Sequence, residues 1–187
     1  MFRTYGLNYA WDFVIESCVV TAKCLVEVLA DSLHPDGQDC RHGYVKLNGR
    51  KVWNTTICSN VGDRRGTNIL KIDPFGCTVS EPKHFDTFDS DAESNSLRDY
   101  INGLTDGDVI VGASAGKATV HLQPAYGALK EELGVHVYNV KAEGSFAFIA
   151  VKGHAKTLSD KAINRAMSDA SPAQVTGAFT GTMHTLL

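Results

Sequence analysis

The sequence predicts an α+β domain built on a largely antiparallel sheet. Three observations carry this. Strand-like and helix-like segments mix without the regular alternation of a parallel β/α fold. One segment, Tyr44–Leu47 followed by Asn48-Gly49 and Arg50–Trp53, has the form of a tight hairpin, because Asn-Gly supplies the positive φ angles of a type I′ turn. Two short stretches carry apolar residues at helical spacing.

The elements follow in order. Residues 1–18 are an arm or a first strand, rich in aromatics (Phe2, Tyr5, Tyr9, Trp11, Phe13) without clear period. Val19 to Ala30 alternates and is rich in β-branched residues, so it reads as a strand. Leu33 to Gly37 is a turn. Cys40 and Cys58 flank the Asn-Gly hairpin at nearly equal distances, which makes them a disulfide candidate. Gly66–Asp73 is a strand closed by Pro74-Phe75-Gly76, and a short strand starts at Cys77. Ser94–Gly103 is a helix: Leu97, Tyr100, Ile101 and Leu104 share a face, and Asp89, Ser90 and Asp91 suit its N-terminus. Val109–Ser114 is a strand, and Pro124–Leu133 is a helix ended by Gly134. Val135–Val140 and Phe146–Val151 read as strands, and Ser159–Asp169 as a helix. The Gly/Thr-rich residues 171–187 read as a loosely held tail.

Composition bounds the function. The chain has 187 residues, 43% of them hydrophobic and 21% charged. That is one domain on a prior of roughly 100–200 residues each, and it excludes disorder. A net charge of −3 leaves no nucleic-acid footprint. No apolar run reaches the roughly 18 residues of a membrane span. The five cysteines, Cys18, Cys24, Cys40, Cys58 and Cys77, include no C-x-x-C pair, so a structural metal site is not expected. In a cytosolic protein they are buried thiols. In a secreted one they are two disulfides and an odd thiol, which would permit a covalent homo-oligomer. Asn54-Thr55-Thr56 is an N-glycosylation sequon and favours export. Met1 to Trp11 is not a signal peptide, so either a signal has been removed or the chain is part of something longer.

Two stretches mimic catalytic motifs. Gly112-Ala113-Ser114-Ala115-Gly116 matches G-x-S-x-G, with Asp160 or Asp169 and His154 or His184 downstream as partners for Ser114. A true elbow enters its helix at once, and here about ten residues intervene. Gly112 to Lys117 also resembles a phosphate loop, but it is one residue short and Ala118 replaces the hydroxyl that holds magnesium. The acidic stretch Asp86, Asp89, Asp91 and Glu93 offers oxygen ligands for calcium, yet lacks a Gly-punctuated loop and suits a helix start better. No cofactor is expected.

Several segments, taken in order, resemble one family. They are Arg65-Gly66-Thr67-Asn68-Ile69, Phe85-Asp86-Thr87-Phe88, the strand Val109-Ile110-Val111, Leu129–Gly134 (LKEELG) and Ser145–Gly153 (SFAFIAVKG). This succession is similar to the ILEI/PANDER domain over about residues 60–153. The resemblance implies two mainly antiparallel β-sheets, sandwich-like and flanked by short helices, forming a single domain over 19–170. It implies an extracellular or secretory setting and no chemistry of its own. The family contains secreted signalling proteins and the glycan-binding stem of a transferase. Arg65 stands at the family's arginine position. Acidic residues are usual where this chain has Ser114–Lys117, and Arg-Asp is usual where it has Glu143-Gly144-Ser145. A sugar rim made of Arg65, Asn68, Lys117 and Glu143 is therefore this chain's own expectation. The expected function is non-enzymatic recognition of a glycan or glycoprotein. A cytokine-like ligand of a cell-surface receptor comes second, and a hydrolase using Ser114 third.

Overall fold

The computed structural model describes residues 18–31, 40–58, 64–141, 144–154, 158–163 and 173–185. The strands in chain order are β1 (Cys18–Ala30), β2 (Cys40–Leu47), β3 (Arg50–Cys58), β4 (Gly66–Asp73), β5 (Thr78–Phe85), β6 (Val109–Ala115), β7 (Ser145–Val151), β8 (Ser159–Ile163) and β9 (Ala173–Thr185). The helices are α1 (Asp91–Asn102) and α2 (Tyr126–Leu133). Sheet A has the order β3-β2-β1-β9 and sheet B the order β5-β4-β6-β7-β8. Every pairing is antiparallel. The α+β sandwich expected from the sequence is the fold observed.

Sheet B lies between two apolar layers. Toward sheet A it contributes Leu70, Ile72, Val111 and Ile149, which meet Val26, Val28, Val45 and Trp53. On its other side Ile69, Phe146 and Phe148 meet Leu97 and Ile101 of α1 and Leu129 and Leu133 of α2. Strands covered on both faces need no polar alternation. That is why β6 (VIVGASA) is buried throughout and β7 (SFAFIAV) nearly so. Sheet A alternates instead: Cys24, Val26, Val28 and Ala30 point in, while Lys23, Leu25, Glu27 and Leu29 point out. No described residue forms a layer over its outward face.

The hairpin stands where Asn48-Gly49 predicts it, with φ of 49° and 78°. Its tip is tied to β1: Leu25 N donates to Asn48 Oδ1 at 2.8 Å, and Asn48 N donates to Leu25 O at 2.8 Å. Gly134 ends α2 in the left-handed region, φ 67°. Gly134 N bonds Lys130 O and Val135 N bonds Leu129 O, so the left-handed residue lets two carbonyls of the last turn be satisfied.

Three expectations change. Val135–Val140 is not a strand; it is an irregular return that buries Val135, Val137 and Val140 against the helices. The helix expected over Ser159–Asp169 begins as strand β8, because the edge of β7 is satisfied by pairing. The expected loose tail contains β9, which pairs with β1 along its whole length, so the sandwich extends past residue 170. Among the described side chains a disulfide joins Cys24 to Cys77, a pair the sequence does not single out, Cα–Cα 5.4 Å. Cys40 and Cys58 do face each other in register on β2 and β3, but their side chains lie outside the described residues. The arm at 1–17 and the turn at 33–37 also lie outside them.

Candidate functional site

Two corners of sheet B and one open face of sheet A concentrate the polar chemistry. The first corner is built by Arg65-Gly66-Thr67-Asn68 and Phe85-Asp86-Thr87-Phe88. Gly66, at φ 108°, runs so close to the Phe85 carbonyl that no Cβ fits. This brings Arg65 against the next loop. Its guanidinium forks onto Asp86, with Nη2–Oδ2 at 2.6 Å and Nε–Oδ1 at 3.1 Å, and lies 4.3 Å from the Phe88 ring centroid. The Asp86 hydrogen bonds raise the Arg65 pKa, so the charge is fixed. Thr67 Oγ1 meets Thr87 Oγ1 at 3.0 Å, and Thr87 Oγ1 donates to Ala118 O at 2.5 Å. The corner is a clasp that locks β4, the approach to α1 and the loop after β6.

The second corner joins α2 to the end of β7. Lys152, 5% exposed, is ion-paired with Glu132. Gly153 N donates to Glu132 O at 3.1 Å, and Lys152 N donates to Asp108 O at 2.9 Å. Lys71 reaches the same Asp108 at 2.7 Å.

The open face carries a third group. Glu27, on β1, accepts hydrogen bonds from the Tyr44 hydroxyl, from Lys46 Nζ at 3.1 Å and from Gln174 Nε2 at 3.4 Å. The Tyr44 hydrogen bond, then Lys46, holds the Glu27 carboxyl below its ordinary range despite some desolvation. The register makes the grouping: Glu27 pairs with Lys46 on β2 and with Thr176 on β9. Beside it a cleft of about 540 Å³ is lined by Leu25, Glu27, Lys46, Thr176, Gly177 and Ala178, among others.

The chain matches the family model described as interleukin-like EMT inducer over residues 65–154. Residues 65–154 belong to the ILEI family. The matched stretch is just under half of the chain and starts and ends at the two clasps. The motif residues of this ILEI domain therefore hold its corners together. Sheet A lies wholly outside the ILEI domain, and so does the cleft on it. The Cys24–Cys77 disulfide ties the two parts, since Cys77 lies in the β4–β5 turn of the domain and Cys24 in β1. No curated protein matches the chain.

The expected rim maps onto one end of sheet B. Gly66 faces Ala115 in register, so Arg65 and Lys117 sit at the same end. Asn68 is 1% exposed; its Nδ2 donates to Arg64 O at 2.9 Å, and its Oδ1 is buried with no hydrogen bond among the described residues. In this state Asn68 braces the Arg64–Arg65 turn from beneath. Glu143 lies outside the described residues.

Ser114 lies inside β6 and is 1% exposed, and its Oγ accepts the Phe146 N–H at 2.9 Å. Gly112 is small because the Phe148 ring rides on it, not because an elbow turns there. The side chains of Asp160, Asp169 and His184 lie outside the described residues. Asp86, Asp91 and Glu93 are engaged by Arg65, His121 and the Asp86 N–H respectively, and the described residues hold no metal-binding group of His, Cys, Asp and Glu. No helix among them is long and apolar enough to cross a membrane.

The sequence reading missed the Glu27 group. Its residues lie on β1, β2 and β9, up to 147 positions apart. Lys23 and Glu27 alternate with Leu25 and Leu29 along one side of β1, a local pattern that does not show what Glu27 will meet.

Proposed function

We propose that this protein is a secreted, non-enzymatic recognition module that binds a glycan, alone or on a glycoprotein. One observation carries the reading. A carboxylate, a phenol, an ammonium and an amide converge beside a shallow cleft on an open sheet face. Sugar hydroxyls donate and accept together, and this set supplies both roles. Leu25, 52% exposed at the cleft, offers apolar surface to the C–H face of a sugar ring.

The compartment reading has separate support. The Cys24–Cys77 disulfide suits an oxidising setting, as does ILEI family membership. Asn54 is exposed on β3, an edge strand of sheet A, so its side chain is reachable for glycosylation. A receptor-ligand reading has less support: among the described residues the large exposed apolar side chains, Leu25, Val120, Tyr138 and Leu158, lie on separate segments of the chain.

The test is a broad glycan array probed with folded protein, with the variants Glu27→Gln and Arg65→Ala alongside. Selective binding lost in Glu27→Gln is the expected outcome. Selective binding lost only in Arg65→Ala would move the site to the end of sheet B. A blank array from folded protein would sink the glycan reading. Turnover of a generic ester that Ser114→Ala abolishes would sink the non-enzymatic one.

A further inference from the structure

One arrangement on sheet A is unfavourable as it stands. Lys46 and Lys51 are cross-strand partners on β2 and β3. Like charges placed directly opposite each other destabilise a sheet. Both ammonium groups lie over the Tyr44 ring, with Nζ at 4.6 and 5.4 Å from its centroid. The ring quadrupole offsets part of the repulsion. Glu27 pairs with Lys46, and Lys23 adds a third exposed ammonium on β1. Glu27 is the carboxylate beside these lysines, and Asp31, next in the outward series of β1, lies opposite His42. The whole chain has the opposite balance, with 18 Lys and Arg against 21 Asp and Glu. Among the described side chains of this face, Lys23, Lys46 and Lys51 thus stand against Glu27 and Asp31, the reverse of the whole-chain balance.

The cleft opens beside this pair, with Lys46 in its wall and Leu25, Gly177 and Ala178 forming its apolar part. We infer that the outward face of sheet A binds an acidic sugar. The ring lies in the cleft against Leu25 and Ala178. Glu27 and Thr176 take its hydroxyls. Its carboxylate or sulfate is held by Lys46 and Lys51, which relieves their repulsion. The inference rests on the glycan reading above and goes further in naming the class of sugar. It places the site in the part of the chain outside the ILEI domain.

The test uses the full chain carrying Asn54→Gln, because Asn54 pairs with Tyr44 and an attached glycan there would crowd the face. Binding is measured at fixed salt to an unsulfated hexuronate polymer, a sulfated polysaccharide and a neutral glucan. The expected result is binding to one or both acidic polymers, weakened about tenfold or more by Lys46→Gln with Lys51→Gln, since each loses a charge-assisted hydrogen bond. The two acidic arms tell carboxylate from sulfate. Leu25→Arg is the decisive control. It fills the cleft while adding positive charge, so a built site binds more weakly and a mere polyanion-attracting surface binds more tightly. Tighter binding by Leu25→Arg overturns the inference. Binding to the neutral glucan that survives both lysine changes overturns the acidic class and leaves the glycan reading standing. Failure to bind any polymer or any glycan on the array defeats both. Melting curves of each variant confirm that the fold is intact.

Discussion

Lys152 shows how one buried charge is made tolerable. Its ammonium would be costly to bury alone, and Glu132 answers it. Lys152→Met leaves Glu132 without its cation and frees the end of α2. Because Glu132 is 38% exposed, the loss is set below that of a fully buried pair, at about 2 kcal/mol. Urea unfolding would measure it, and an unchanged midpoint would show that the pair contributes nothing. Glu27 gives a prediction of another kind. Its folded pKa is lowered, chiefly by the Tyr44 hydroxyl. Its contribution to stability is therefore present above the ordinary value of 4.5 and is lost as pH falls through the lower folded value. Tyr44→Phe should raise the midpoint of the Glu27 carboxyl toward 4.5, seen by NMR titration. A midpoint that does not move would remove Tyr44 as the cause. At this scale the sequence showed Arg65 and Asn68 as notable residues. It did not show that Arg65 is forked onto Asp86, 21 positions away, or that Asn68 is buried beneath the Arg64–Arg65 turn, because both depend on how the strands pack.

Strands β6 and β7 illustrate how an element constrains a single position. Gly112 faces Phe148 in register, and a Cβ on Gly112 would overlap the Phe148 ring. Gly112→Ala should cost about 1–3 kcal/mol by overpacking. The double variant Gly112→Ala with Phe148→Leu should recover much of it; if it recovers none, the ring is not the cause. Elements were legible where their signals were local. The Asn-Gly turn and the Gly134 cap carry their own backbone chemistry, and α1 carries its own apolar face. Residues 135–140 and 159–163 were misread because their local pattern competes with a partner. Val135 and Val137 answer the helices, and β8 answers the open edge of β7.

At the scale of the described molecule, the stretch that matches the ILEI model is tied to sheet A by a disulfide. The Cys24–Cys77 bond closes a separation of 53 residues. On the chain-entropy account this constrains the unfolded state by about 4 kcal/mol. Cys24→Ser with Cys77→Ser should lower stability by that order, measured by denaturant unfolding against the oxidised parent. A fall well under 1 kcal/mol would mean that the packing between the sheets suffices without the bond. The result also bears on the proposed sugar site, because β1 carries both Cys24 and the Leu25–Glu27 edge of the cleft.

The sequence by itself determined the fold class, the hairpin, the two helices and the order of family motifs. Those features rest on residues close along the chain, and periodicity, turn chemistry and caps act over a few positions. Only the tertiary structure decided which cysteine met Cys24, that Ser114 turned inward, and that Glu27, Tyr44, Lys46 and Gln174 share one open face. These depend on sheet register and on which strand lies beside which. Register is fixed by burying both faces of sheet B and by pairing β9 with β1, contacts made between the two ends of the chain.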